Sequence, residues 1–220
     1  RIAYEADLLI AEGFIEPHFF AGFSGGRKSV LPGVSSRETV MANHCSEFIA
    51  DPHSRTGILE GNPIHKDMVW AAEKAKLAFI VNVVLDQDKK VIRAFAGHFD
   101  QAHREGCRFA DQLSGVDAAP ADIVISTNGG YPLDQNVYQS VKGMTAAEAT
   151  CRPGGVIIMV SSCTDGHGGQ ELYDTFANEK DKEKIMAGFL ATDRDSTIAD
   201  QWESQILCRI LLKYKVIMVT

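Results

Sequence analysis

The amino-acid sequence predicts an α/β protein of two domains, the second with a parallel open sheet and flanking helices. Three observations point there. Residues 122–161 read as strand, loop, helix and strand, the repeating unit of a parallel sheet. Residues 77–96 read as a strand hairpin between two helical stretches, so strands occur in both halves. The stretch 114–120, Ser-Gly-Val-Asp-Ala-Ala-Pro, has linker composition and separates a domain over 1–118 from one over 119–220.

In chain order, 6–11 reads as a first strand and leads into a glycine-rich stretch from Gly22 to Gly33. Ser35 with Glu38 fits a capping box, which predicts one helix over 36–48. Asp51-Pro52 and Gly61-Asn62-Pro63 mark a loop, and 64–76 has helical periodicity through Ile64, Met68, Ala71 and Ala72. The run 77–85 reads as a buried strand, 90–96 as its hairpin partner and 99–113 as a helix. In the second half, strand 122–126 is followed by a helix over 136–151, which ends at Pro153-Gly154-Gly155, and by a strand over 156–161. Ligands of such sheets bind beyond the carboxyl ends of the strands, which places 126–130 and 161–169 on one rim. Residues 171–212 read as mainly helical, and 215–220 as a further strand.

Bulk composition excludes several classes. The 220 residues carry a formal charge of −7, with no overall attraction for nucleic acid or an anionic membrane surface. No apolar run approaches the roughly 20 residues of a membrane span. Five scattered cysteines without a CxxC pair fit a reducing compartment, and 1–15 has no signal-peptide pattern, so the expected location is the cytoplasm. The chain lacks an initiator Met and stops in a strand without a turn, so it reads as a piece of a longer protein.

Three constellations can carry chemistry. Gly22-Phe23-Ser24-Gly25-Gly26-Arg27-Lys28-Ser29 is not a phosphate loop, because Arg27 stands where the second glycine of GxxxxGK belongs. Its small residues and its two cations still suit an anion; the bland alternative is a tight turn with two solvated cations. Lys28, among glycines and beside a cation, can have the lowered pKa of a nucleophilic amine, or be an ordinary surface lysine. His18 and His44 flank the loop; each can bind a metal or move protons, or, for His44, simply close a helix end. Tyr138, Gln139 and Lys142 share one face of the 136–151 helix, where phenol, amide and ammonium can hold a carboxylate, or form a plain amphipathic surface. Trp202 read alone belongs to a core.

Together these pieces resemble the nickel-dependent lactate racemase family. The resemblance is carried by His18-Phe19-Phe20-Ala21-Gly22-Phe23-Ser24-Gly25-Gly26-Arg27-Lys28, by Leu31-Pro32-Gly33 and by Asn43-His44. A second match is Asn128-Gly129-Gly130-Tyr131-Pro132-Leu133-Asp134-Gln135-Asn136 with Tyr138, Gln139 and Lys142, and a weaker third is Trp202. The resemblance implies a nickel-pincer nucleotide, a pyridinium mononucleotide whose sulfur groups hold Ni. Lys28 matches its point of attachment through a thioamide, within the loop of Gly25, Gly26 and Arg27, and His44 matches the nickel ligand. His18 matches one of two acid–base histidines. Tyr138, Gln139 and Lys142 match residues lining the substrate and cofactor site, with Trp202 near it.

The implied reaction is racemisation or epimerisation of a 2-hydroxy acid by reversible hydride transfer. The implied partners are that substrate and the accessory enzymes that make the cofactor. The family's Asp-His-Arg-Thr motif and second catalytic histidine are not in this sequence. They belong to an N-terminal segment of the same protein, so 1–118 is expected to be the remainder of a catalytic domain, 119–220 a truncated C-terminal domain, and this stretch alone inactive. The competing reading is a metal-independent α/β protein that binds a small anion or nucleotide at Gly25-Gly26-Arg27.

Overall fold

The computed structural model describes residues 2–220. They form two compact units: one runs through His44 and resumes over Ala50–Val116, the other comprises Cys45–Ile49 and Asp117–Thr220. The division follows Val116, and 45–49, which the sequence placed in the first domain, groups with the second unit.

The first unit opens with a short helix, α1 (Ile2–Glu5), and strand β1 (Leu9–Phe14), which lies three residues later than the 6–11 reading. Two-residue strands β2 (Pro17–His18) and β3 (Gly22–Phe23) pair antiparallel and set His18 opposite Gly22. The glycine-rich stretch then closes into a 3-10 turn, Gly26–Ser29. The single helix expected over 36–48 is two helices, α2 (Arg37–Asn43) and α3 (Ser46–Ala50). The chain turns at His44 because Asn43 and His44 are buried, and Asn43 Nδ2 donates to Asp67 Oδ2 at 2.8 Å. The cap is also one residue later than expected. Ser36 accepts from Thr39 N–H, while Ser35 Oγ donates to Val30 O at 2.7 Å and closes the preceding loop.

Helix α4 (Pro63–Lys74) starts where Pro63 follows Asn62, whose side chain accepts from the N–H groups of Ile64 and His65. Strands β4 (Leu77–Leu85) and β5 (Val91–Gly97) form the anticipated antiparallel hairpin. Helix α5 (Phe99–Ser114) ends the unit. The sheet order is β1-β4-β5, with β1 parallel to β4. Burial alternates along β4: Ile80, Asn82 and Val84 face inward, Phe79 and Val81 outward. Two apolar clusters fill the inner side: Ile15, Phe23, Val84, Phe95, Cys107 and Ala110, and Val30, Ala72, Leu77, Ile80, Phe99 and Ala102.

The second unit has β6 (Ala121–Thr127), α6 (Val137–Glu148), β7 (Cys151–Val160), α7 (Gln170–Asn178), α8 (Lys182–Leu190), α9 (Gln201–Lys213) and β8 (Lys215–Val219). Its sheet, in the order β6-β7-β8, is parallel throughout. Helices α6 and α9 pack on the face that carries Ile157 and Met159, both wholly buried. Asn136 caps α6 by accepting from Gln139 N–H at 2.9 Å. Asn128 Nδ2, at the end of β6, donates to Gln139 O at 2.9 Å and ties the rim loop to the same helix. Asp134 Oδ2 accepts from Ser162 N–H at 3.1 Å, which joins the two loops at the carboxyl ends of β6 and β7.

Candidate functional site

In the first unit, three of the sequence-predicted residues gather around one ring the sequence did not single out, that of Phe20. The ring of His18 lies 4.6 Å from it, edge-on, and the ring of His44 5.1 Å from it, also edge-on. Lys28 Nζ stands 5.8 Å from its centroid. The β2–β3 pair delivers His18, the 3-10 turn delivers Lys28, and the C-terminal end of α2 delivers His44. The His44 imidazole is 5% exposed. Burial first, and then the charge of Lys28, push its pKa down to about 3, so it is neutral at pH 7 and in the form that binds a metal. Ala21 N–H donates to His18 Nδ1 at 3.3 Å, which leaves Nε2 as the protonated nitrogen of the neutral ring.

The turn beneath Lys28 differs from the expected anion loop. Arg27 is 1% exposed and points inward. Its Nη1 donates to Phe23 O at 2.8 Å and Nη2 to Ala21 O at 2.7 Å. Gly26 N–H donates to Asn82 Oδ1 at 2.7 Å. In this structure these groups bond within the chain itself, and Gly25, Gly26 and Arg27 form the turn that carries Lys28. The two glycines are required sterically. Gly25 and Gly26 have φ of 74° and 55°. A Cβ on Gly25 would lie 2.8 Å from Asn82 Oδ1, and one on Gly26 would lie 2.6 Å from the His103 ring.

In the second unit, Tyr138, Gln139, Lys142 and Trp202 come together. Lys142 Nζ donates to Gln139 Oε1 at 2.6 Å, and Trp202 Nε1 donates to Tyr138 Oη at 3.2 Å. Burial, then the charges of Glu203 and Asp200, raise the Tyr138 phenol, so it stays a neutral donor. Lys142 is exposed. A phenol, an amide and an ammonium thus share the rim-side turns of α6, an arrangement that can receive a carboxylate.

Among the described residues no group of three or more His, Cys, Asp or Glu side chains is placed to hold a metal ion. A metal at His44 would draw its other donors from a cofactor. The neutral imidazole beside an amine fits such a group, which needs one nitrogen ligand and one attachment point.

Two family models cover most of the chain: the lactate racemase N-terminal domain matches residues 1–57, and the lactate racemase C-terminal domain matches residues 116–220. The chain belongs to the lactate racemase family. It is 62% identical over 220 residues to a lactate racemase of Thermoanaerobacterium thermosaccharolyticum and 60% identical over 220 residues to one of Lactiplantibacillus plantarum. In each case the alignment takes in 100% of this chain and 52% of the relative, so the chain spans about half the length of the lactate racemases it matches. The solved structure of the T. thermosaccharolyticum lactate racemase apoprotein superposes with a TM-score of 0.98 over 100% of this chain and 52% of that one, at 62% identity. A crystal structure of a Thermotoga maritima protein, 21% identical, matches with a TM-score of 0.66 over 99% of this chain and 58% of that one, and shares the fold.

Beside the residues to which the resemblance gave roles, the structure draws attention to Phe20, which the motif contained without a role, and adds Asn82, His103 and Glu203. Two of these had a visible signal. Asn82 is the one polar residue in the run 77–85. Glu203 falls on the stripe of Ile206, Leu207 and Ile210, where a carboxylate is out of place. His103 had none, since Arg27 and Ser24 lie 76 and 79 positions before it.

Proposed function

We propose that the full-length protein containing this chain racemises or epimerises lactate or a related 2-hydroxy acid, using a nickel-pincer nucleotide held by Lys28 and His44. The observation that carries the reading is the gathering of Lys28, His44 and His18 around Phe20. The lactate racemases it resembles support the substrate class.

When bound, the cofactor would supply a sulfur-ligated nickel centre and a pyridinium able to accept the C2 hydride. Lys28 would hold it covalently, and neutral His44 would offer the metal one nitrogen. His18 would exchange a proton with the substrate 2-hydroxyl. To accept that proton at Nε2 its ring must carry hydrogen on Nδ1, which gives up the 3.3 Å contact from Ala21 N–H. Lys142 would anchor the substrate carboxylate. One of its partners is the uncharged Gln139 amide, 2.6 Å away. Tyr138 would add a phenolic donor, oriented by Trp202. The second acid–base histidine and the carboxylate-binding arginine would come from the N-terminal segment that the resemblance implies, so the 220 residues alone would not turn over. The accessory enzymes that make the cofactor are the proposed partners. The cytoplasm, which keeps five free cysteines reduced, is the proposed location.

The metal-independent alternative relied on Arg27 facing an anion, and Arg27 faces the interior. The test is intact mass and nickel content of the full-length protein co-expressed with the cofactor-making enzymes. Wild type is expected to carry an adduct on Lys28 and bound nickel. Lys28→Ala should lose the adduct, and His44→Ala should keep it while nickel falls at least tenfold. Wild type without adduct or nickel, under conditions that load a known lactate racemase, would reject the reading.

A further inference from the structure

We propose that Arg27 is a positioning residue: its buried guanidinium fixes the turn that presents Lys28 beside Phe20 and His44. The proposal rests on the reading of Lys28 as the attachment point. Arg27 and Lys28 are adjacent, yet Arg27 is 1% exposed while Lys28 reaches the Phe20 ring. Nη1 lies 2.8 Å from Phe23 O, 3.2 Å from Gly25 O and 3.5 Å from Ser24 O, and Nη2 lies 2.7 Å from Ala21 O. His103 Nε2, on α5, sits 3.0 Å from Nη1 and 2.9 Å from Ser24 O.

No hydrogen bond to a carboxylate is among these contacts; the cation is solvated by the chain that leads into Lys28. A buried guanidinium without an ion pair is unfavourable, and burial lowers its pKa to about 10. A core apolar side chain would fill the same space without that penalty. What the fork supplies is geometry: two nitrogens about 2.3 Å apart reach the carbonyls of Ala21, Phe23, Ser24 and Gly25 along the path 21–25. Glycines at positive φ otherwise leave this path loose. A lysine ammonium donates from a single nitrogen and cannot reproduce the planar two-nitrogen fork that spans these carbonyls.

The test uses the full-length protein as wild type, Arg27→Lys, Arg27→Met and Val84→Ala. The last removes buried volume from the neighbouring core cluster without touching the turn's hydrogen bonds. Three quantities are read: the denaturation midpoint, the rate at which sulfosuccinimidyl acetate acetylates Lys28 in the apoprotein relative to exposed Lys66 and Lys90, and the fraction bearing the Lys28 adduct after loading. In both Arg27 variants Lys28 acetylation is expected to rise at least fivefold and the adduct to fall at least tenfold. Val84→Ala should lose stability and leave both near wild type.

Wild-type acetylation and loading in folded Arg27→Met would reduce Arg27 to a structural strut and overturn the proposal. Full rescue by Arg27→Lys would show that charge suffices and overturn the geometric argument. If both Arg27 variants fail to fold, Asn82→Ala frees the same turn at Gly26 N–H and decides the matter: wild-type rates there count against the proposal and raised acetylation counts for it. A wild type without adduct defeats the proposed function, while the acetylation arm, which needs no cofactor, still tests Arg27.

Discussion

Glu203 lies on the buried stripe of α9 and is 1% exposed, and its Oε1 has no hydrogen-bond partner among the described residues. Burial raises its pKa to about 8 against the pull of Lys142, with Asp200 adding to the rise. The folded value exceeds the unfolded value of 4.5, so the folded protein holds the proton more tightly. The associated stability is complete below pH 4.5 and is lost as pH rises through 8, at up to about 1.4 kcal/mol per pH unit. Glu203→Gln keeps the shape and removes the titration. It should therefore be more stable than wild type at pH 8.5 by roughly 2–4 kcal/mol relative to their difference at pH 5. Urea midpoints at the two pH values check this; a difference independent of pH would mean that Glu203 is ionised in the fold. The same residue shows what sequence can reveal at this scale. A carboxylate on an apolar stripe is visible as a misfit, but its neighbour Lys142 lies 61 positions away and only the fold brings the two together. Arg27 had no such misfit: beside Lys28 in a glycine-rich loop it reads as a solvent-facing cation, and its direction is decided by carbonyls and by His103.

At the scale of elements, α4 and α5 flank the 3-10 turn through neutral imidazoles. His65 on α4 and His103 on α5 are 2% and 1% exposed, and their rings stack at 6.5 Å. Burial, then the Arg27 charge, pushes His65 down to about 3 and His103 well below 6.5. Their folded values lie under the unfolded one, so this stability is present above pH 6.5 and declines as pH falls toward 3. The slope is about 1.4 kcal/mol per pH unit for each ring that stays neutral in the fold. Thermal unfolding followed from pH 7 to pH 5 should show the melting temperature dropping steeply, and His65→Phe should flatten the slope. A slope unchanged in that variant would remove His65 from the account. The helix α4 was legible because burial of one face needs only local repetition, and β4 because its apolar run is continuous, although one of its faces is exposed. The break between α2 and α3 was not, because Asn43 turns the chain there by bonding Asp67, 24 residues on. The Ser35 reading failed for a related reason: a serine hydroxyl caps a helix by accepting from an N–H or closes a loop by donating to a carbonyl, and Ser35 donates to Val30 O.

At the scale of the whole molecule, each of the two three-stranded sheets has one apolar face that the described residues leave bare. In the second unit Ile123 and Ile125 on β6 are 61% and 69% exposed, and Ile217 and Val219 on β8 follow them on the same face by register. In the first unit Ile10 and Phe14 on β1 and Phe79 and Val81 on β4 are exposed on the face opposite the core. Parallel sheets are ordinarily covered on both sides, because crossovers put helices on each face and bare apolar strands favour association. The lactate racemases that match this chain are about twice its length, so they have sequence available to complete such layers. The expected outcome is that Ile125→Cys reacts with a bulky maleimide at least tenfold more slowly in the full-length protein than in a polypeptide limited to these 220 residues. Cysteine-free backgrounds read by mass spectrometry make the comparison clean. Equal rates would mean that the β6 face stays open in the complete protein. The face would then be an interaction surface, and the second domain's core would end with the helices α6 and α9 already seen on its other side.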